Sequence, residues 1–531
     1  MRRALLLALA ATAGCSRASC DPAAPAAGVR RTLTLGTTTE PATLDPAFNE
    51  LSGAQELVRL LFRDLTVLDD RWQLLPELAE SLPVAVTSTG QDAVVRWRLR
   101  EGLRWSDGAP LGPRDVIFGH GIEADPALEA VSHETARQLR SMVATGPREV
   151  TAVWRGRFAD YRAPRVHAIL PAHAYPSPVE GAPFRGLLRA EVGSGPFRLA
   201  SWVPGQRAVL ERNPHWHGPE PALESIVFRF FPSDEAFEAE LATGGIDALG
   251  EAAGLGLERA EALAERLRET HRVVFTGSGL WLHLDLRLDH PTTGRLEVRQ
   301  AIHRALDRAA LAKLVYAGHA RPAGGLFPPR HPAFREALAP RPPDLQAARA
   351  LLESAGLSKE DRRLRLQLAA GSEASERAAL LVAARLGELG FSVQLEALPM
   401  RNLMAQLKAR EQAPLALYAW RVRPDWDGRS ALHSGGRQNA TGLSDARLDA
   451  LLDEARGELD PARWAANLHA VEDRFLELLP SIPLVFRDDV SVHPRWLEGW
   501  RPTGTVSPVT WNAETWRVAP RAEVDARAPT P

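Results

Sequence analysis

Apolar residues recur along this chain with two different periods. Thr32-Leu33-Thr34-Leu35 alternates polar and apolar positions, and residues 94–99 do the same, setting Val95, Trp97 and Leu99 opposite Val94, Arg96 and Arg98. Period-two alternation predicts half-buried strands. Residues 51–65 instead place Leu57, Val58, Leu61 and Leu65 at helical spacing. Val209-Leu210 and Ile226-Val227-Phe228 bracket the turn-rich Asn213-Pro214-His215-Trp216-His217-Gly218, predicting strand, loop, strand.

Further along, 296–315 predicts one continuous helix with Val298, Ala301, Ile302, Ala305 and Leu306 on a single face. A second helix starts at Asp344 as N-cap, carries Leu345, Ala348, Leu351 and Leu352, and stops at Gly356. Leu364 to Leu368 then reads as a strand, followed by a helix and a strand at 391–395. This β-α-β order predicts the α/β class, with mixed sheets flanked by helices.

The chain opens differently. Arg2 and Arg3 precede an apolar run at 4–13, then Gly14 and Cys15, the pattern of a secretory leader. The run is too short to span a bilayer, which needs ~20 residues. Thr12-Ala13-Gly14-Cys15 resembles a lipobox, in which the cysteine is acylated and becomes the mature N-terminus. Cys20, after Ala18-Ser19, is a weaker candidate, and simple secretion or an uncleaved anchor are the alternatives. Residues 1–15 are therefore expected as a lipoprotein signal peptide, 16–29 as a tether and 521–531 as a loose tail. Both cysteines fall in the first 20 residues, so the body has no thiol for a disulfide, a metal or nucleophilic attack.

Composition narrows the class of partner. The 531 residues carry 64 Lys plus Arg against 66 Asp plus Glu, which supplies no electrostatic footprint for nucleic acid. A chain of this length suggests about three domains, or two large ones. Lysine occurs only at Lys313, Lys359 and Lys408, an arginine skew read here as codon bias. There is no phosphate-cradling glycine loop and no H-E-x-x-H. Gly193-Ser194-Gly195 and Gly277-Ser278-Gly279 lack the spacing of a nucleophile elbow. His215 and His217 flank Trp216 without a third ligand at matching spacing and read as turn histidines. An exported chain without a catalytic motif points to binding, with no enzyme activity and no cofactor.

A family resemblance gives that binding a form. Glu40-Pro41-Ala42-Thr43-Leu44-Asp45-Pro46-Ala47 resembles the opening of extracellular solute-binding proteins of family 5, the oligopeptide- and dipeptide-binding components of ATP-driven (ABC) importers. The likeness continues at Leu99-Arg100-Glu101-Gly102-Leu103-Arg104-Trp105-Ser106-Asp107-Gly108, at Gly193-Ser194-Gly195-Pro196-Phe197 and at Glu211-Arg212-Asn213-Pro214. Val298-Arg299-Gln300-Ala301-Ile302, Leu351-Leu352-Glu353-Ser354-Ala355-Gly356, Asp449-Ala450-Leu451-Leu452 and Pro480-Ser481-Ile482-Pro483 extend it in order. Trp105-Ser106-Asp107-Gly108 reads physically as a tight turn, with the aspartate accepting backbone N–H bonds and glycine at positive φ.

The resemblance implies a two-lobed periplasmic-binding-protein fold (type II-like, cluster C) with an extra inserted domain. Lobe I would combine 30–62, 192–272 and 488–520, the inserted domain 63–191 and lobe II 273–487, with hinge crossings near Phe275 and Phe486. Ligand residues implied by it are Glu50, Leu51 and Ser52, Trp281 after the first crossing, and the loop led by Trp420. Family members place a carboxylate three residues after that tryptophan to hold a peptide's α-ammonium; here the position is Arg423. Asp425 or Asp427 takes that role if Pro424 reshapes the loop; otherwise the anchor has become a cation. The expected protein is a monomer, lipid-anchored in the periplasm or at the cell surface, that captures a small peptide and delivers it to an ABC permease and its ATPase. The alternatives are a non-peptide or anionic solute such as an opine, a sugar or a chelated metal, or a sensor or scaffold without an importer.

Overall fold

The computed structural model describes residues 31–519 apart from 50–51, 84, 88–91, 129, 131–135, 157–167, 176–191 and 506. The leader with Cys15, the tether, Glu50, Leu51 and the C-terminal tail lie outside the described residues.

The first expected strand is β1 (Thr32–Thr37), followed by helix α1 (Ser52–Leu61). α1 is shorter than its apolar spacing predicts because Gly193-Ser194-Gly195 closes its end. The N–H of Gly195 donates to the Leu61 carbonyl at 2.8 Å, and the Ser194 hydroxyl accepts the N–H of Arg63 at 3.0 Å. A Cβ at Gly193 or Gly195 would lie 2.2 or 2.1 Å from the carbonyl oxygens of Leu61 and Leu60, so only glycine fits. Next comes a hairpin of β2 (Thr66–Leu68) and β3 (Leu74–Pro76). A separate antiparallel sheet in the order β4-β5-β7-β6 follows, from β4 (Ala85–Thr87), β5 (Ala93–Arg98), β6 (Leu139–Gly146) and β7 (Glu149–Trp154). Helix α2 (Pro113–Ala124) packs beside it. The expected Trp105–Gly108 turn is present: Gly108 has φ 87°, and Asp107 Oδ1 accepts the Ala109 N–H at 3.0 Å.

The chain then returns to the sheet of β1 through β8 (Phe197–Val203), β9 (Arg207–Arg212) and β10 (Ser225–Phe230), the strands expected around the Asn213 turn. Helix α3 (Asp234–Thr243), β11 (Ala248–Leu249) and α4 (Leu257–Arg266) lead to the long β12 (His271–Leu286). Two helices follow where one was expected, α5 (Leu296–Ala305) and α6 (Arg308–Tyr316). The break has a local cause, since the Asp307 carboxylate accepts the Ala310 N–H at 2.9 Å and caps a new helix. Then come β13 (Ala320–Pro322), α7 (Leu345–Ser354) capped by Asp344 as expected, β14 (Arg363–Ala369), α8 (Glu373–Glu388) and β15 (Ser392–Leu398). The chain continues through α9 (Met400–Ala409), β16 (Leu415–Arg421), α10 (Arg429–Leu432), α11 (Ala446–Gly457), α12 (Pro461–Leu478) and the long β17 (Ser481–Pro494).

These strands build one mixed sheet in the order β15-β14-β16-β12-β17-β11-β1-β10-β9-β8, with β13 beside β17. β12 and β17 pair antiparallel from His271 opposite Pro494 to Asp285 opposite Ser481, a ribbon that runs through both halves of the sheet. Its register slips between Gly277 and Leu280. One apolar cluster joins β1 and α1 to the four-stranded sheet through Leu35, Leu57, Trp97, Trp105 and Val150. Another packs α5, α6 and α8 on β12, β14 and β16 through Ile302, Leu311, Val382, Leu366 and Leu417. The helix-flanked α/β class expected from periodicity is the one observed.

Candidate functional site

The segment after β16 is where the sequence places its ligand loop, and the backbone fixes its start firmly. Trp420 pairs with Trp281 across the β16–β12 ladder. The Arg421 guanidinium then grips Asp489 of β17 through two bonds, at 2.6 and 3.3 Å. Burial alone would lower the Arg421 pKa, and the Asp489 carboxylate outweighs it and holds the group above its ordinary value. The N–H of Val422 donates to the Gly279 carbonyl at 2.8 Å. From this anchored base, Arg423 to Asp427 project as a turn, with the N–H of Trp426 donating to the Arg423 carbonyl at 3.0 Å.

That turn forms one wall of a cavity of about 1240 Å³. The same wall includes Met404 and Lys408 of α9, Arg429 of α10, His433, Arg437 and Arg456 of α11. The facing wall comes from a different sheet: His120 and Ala124 of α2, Arg137 and Gln138 ahead of β6, and Arg155 after β7. Two further cavities are smaller, about 520 Å³ beside Phe327 and Phe334 and about 630 Å³ beside Trp216 and His217. The large cavity exceeds the ~300–1,000 Å³ usual for small-molecule pockets, enough for a solute of peptide size.

Trp420, Arg423, Asp425 and Asp427 all line the cavity, so the structure brings these four sequence-selected residues together. The exposed Arg423 donates to Asp425 at 3.1 Å. Asp427 Oδ1 accepts the Arg429 N–H at 2.9 Å. Burial raises the Asp427 pKa, against that hydrogen bond and the nearby guanidiniums of Arg456 and Arg429. Trp281 sits elsewhere. It is 3% exposed, is absent from the lining, stacks on His283 at 4.2 Å and tilts against Trp426 at 6.5 Å. Trp281 therefore backs the wall through Trp426. Ser52 is the first residue of α1.

Three features escaped sequence reasoning. The cavity's second wall, with Arg137 and Arg155, carries no motif that signals it. Glu251 is half-buried beside Asp489, and its two oxygens accept the N–H groups of Thr503 and Gly504 at 3.1 and 2.7 Å. Burial, with the Asp489 charge adding to it, raises its pKa to about 8. Trp72 takes a left-handed backbone (φ 65°) at the tip of the β2–β3 hairpin, and its indole donates to the Thr503 carbonyl at 2.8 Å. The Asp69-Asp70-Arg71-Trp72 turn was the available signal, since Asp69 Oδ1 accepts the N–H groups of Arg71 and Gln73. Among the described residues, no cluster of His, Cys, Asp and Glu forms a metal centre, and no helix is long and apolar enough to cross a membrane.

Comparison with known proteins agrees with this architecture. Residues 73–441 match the model of "Bacterial extracellular solute-binding proteins, family 5 Middle". The chain is 27% identical over 461 residues to Protein XP55 of Streptomyces lividans, covering 83% of this chain and 80% of that one. It is 25% identical over 472 residues to the glutathione-binding protein GsiB of Shigella boydii, covering 86% and 89% respectively. Among solved structures, the ABC transporter substrate-binding protein CtaP of Listeria monocytogenes superposes with a TM-score of 0.82 at 18% identity, covering 93% of this chain and all of that one. The fold is the two-lobed one of periplasmic binding proteins.

Proposed function

Because the chain belongs to the bacterial extracellular solute-binding proteins of family 5, we propose that it captures a peptide-sized solute in the 1240 Å³ cavity and presents the loaded form to an ATP-driven membrane importer. The observation that carries this reading is the cavity's position, with one wall from the β4–β7 sheet and α2 and the other from the loop after Trp420. In this proposal Trp420, Arg423, Asp425 and Asp427 contact the solute and Trp281 supports them, while Glu50, Leu51 and Ser52 join the site on the family resemblance. Lobe I takes 30–62, 192–272 and 488–520, the inserted domain 63–191 and lobe II 273–487. The β12–β17 ribbon acts as the hinge near Phe275 and Phe486, closing on the solute without a catalytic step. A relative named for glutathione supports a solute of this size.

A thermal-shift screen of short peptides, opines and sugars tests the proposal. A ligand at a hundredfold excess over its Kd stabilises by about 2.7 kcal/mol. Melting is expected several degrees higher with at least one class, and solution scattering with that solute should give a smaller radius of gyration. No shift from any class, or a shift without compaction, would remove the hinge-closing reading.

The protein is extracytoplasmic, as its family is. We propose further that Cys15 carries the lipid that tethers it, on the run from Arg2 to Cys15. Cys15→Ser should then move the protein from the membrane to the soluble fraction. Unchanged fractionation, with no lipid mass on the N-terminal peptide, would reject acylation there.

A further inference from the structure

We propose that the solute is a small polyanion, a molecule of peptide size carrying two or more carboxylate or phosphate groups. The inference deepens the reading of this cavity as the solute site and rests on it. Among the described residues that line the cavity, seven are cationic, Arg137, Arg155, Lys408, Arg423, Arg429, Arg437 and Arg456, against two carboxylates, Asp425 and Asp427. The whole chain is nearly balanced, 64 to 66, and one of its three lysines stands here.

The cations arrive from separate parts of the fold. The N–H of Arg155 donates to the Gln138 carbonyl at 2.8 Å, which sets Arg137 and Arg155 at neighbouring strand ends on one wall. Lys408 comes from α9, Arg423, Arg429 and Arg437 from the loop and α10, and Arg456 from α11, all on the opposite wall.

Internal carboxylates hold part of this charge. Asp425 holds Arg423 at 3.1 Å, and Asp453, outside the lining, pairs with Arg429. Among the described residues no carboxylate pairs with Arg137, Arg155 or Lys408.

A concave site of one sign concentrates field on ligands of the other sign. Guanidinium forks match carboxylate and phosphate oxygens in pairs. Like charges also face each other across the two walls, so the empty cleft resists closure and a polyanion between them removes the resistance. A cationic peptide meets repulsion from both sides.

Calorimetric titration of the full chain tests this with five probes: Glu-Glu-Glu, Ala-Ala-Ala, Lys-Lys-Lys, citrate and fructose 1,6-bisphosphate. Glu-Glu-Glu should bind at least about tenfold more tightly than Ala-Ala-Ala, with no heat from Lys-Lys-Lys, and should weaken about tenfold between low and high salt. Preference for citrate or the bisphosphate over the neutral peptide also supports the proposal, and which of the two binds separates carboxylate from phosphate chemistry. The double substitution Arg137→Ser with Arg155→Ser should weaken the best anion by about tenfold. Its unliganded melting temperature should match the parent, because both residues are exposed. Ala-Ala-Ala or Lys-Lys-Lys binding as tightly as Glu-Glu-Glu overturns the anion preference and leaves the solute site standing. An unchanged anion affinity in the double variant overturns it too. Silence from all five probes refutes the polyanion, while the peptide, opine and sugar screen separately decides whether the cavity is a solute site at all.

Discussion

At the residue scale, arginine has two distinct uses that composition merges into one excess. Arg299, in the Val-Arg-Gln-Ala-Ile stretch, is buried without a carboxylate and donates to the carbonyls of Leu478, Thr293 and Gly294 at 2.7–3.1 Å. Arg308 likewise donates to the carbonyl of Pro483 at 2.7 Å and to His303 Nδ1 at 2.9 Å, and burial lowers its pKa to about 10. These guanidiniums satisfy main-chain acceptors that would otherwise be stranded, the condition on which a buried cation is tolerated. The cavity arginines are half-buried or exposed and face solvent space. Arg423 was legible because it follows Trp420 in a recognisable loop. Arg137 and Arg155 were not, because their neighbours across the cavity lie far along the chain and no local spacing reports a tertiary meeting. The same limit hid the staple at Arg299, whose acceptor at Leu478 belongs to another helix.

At the element scale, periodicity located strands and helices well and their punctuation less well. The break at Asp307 was readable in principle, since an aspartate inside a helical pattern is a standing candidate for an N-cap. The glycines of Gly277-Ser278-Gly279 were readable only as a negative, a motif without nucleophile spacing. The structure gives them a positive role at the register slip of β12. Ser278 donates to the Arg487 carbonyl at 2.8 Å, Gly279 donates to the Gly504 carbonyl at 3.0 Å, and a Cβ at Gly279 would sit 2.0 Å from the Val422 carbonyl oxygen. Gly279→Ala must therefore shift the backbone that launches the ligand loop, at a cost of about 1–3 kcal/mol. Gly387 provides the control. It lies in α8 with open space around its Cβ position, and Gly387→Ala should stabilise by about 0.5–1 kcal/mol. Urea unfolding of both variants checks the pair, and equal stability at position 279 would mean that the crossing is looser than its contacts imply.

At the scale of the whole molecule, periodicity made the α/β class legible and the ordered family matches the two-lobed architecture, while the chemistry of the buried polar groups was not legible, because it depends on burial. That chemistry sets the pH range of stability. Burial lowers the pKa of His303 to about 3, with Arg308 and Arg304 adding to it, and that of His331 to about 3. In both, Nδ1 accepts a hydrogen bond, so the neutral ring carries its proton on Nε2. Burial also lowers His217 and His493 to about 4. Unfolded histidine titrates near 6.5, so below that pH the unfolded chain takes up protons these rings refuse, and their stabilisation, complete above about pH 6.5, is lost as pH falls toward 3. Glu251 has the opposite sign. Its pKa is raised to about 8 from an ordinary value of 4.5, so the folded chain holds a proton that the unfolded chain releases. The contribution of Glu251 is complete below pH 4.5 and disappears as pH rises through 8. Between pH 4.5 and 6.5 the four histidines outweigh the one glutamate, and above 6.5 the glutamate acts without them. Stability should peak near pH 6.5 and decline toward pH 8, with a slope of up to about 1.4 kcal/mol per pH unit from this single proton. Glu251→Gln removes the proton that titrates but also exchanges one acceptor oxygen for a donor. The informative quantity is therefore the slope of unfolding free energy between pH 6.5 and 8.5, not its value at one pH. The variant should be flat there and keep the parent's loss below pH 6. A parent that is already flat above pH 6.5 would show that Glu251 ionises freely beside Asp489. The two N–H donors at Thr503 and Gly504 would then hold a full carboxylate at the crossing.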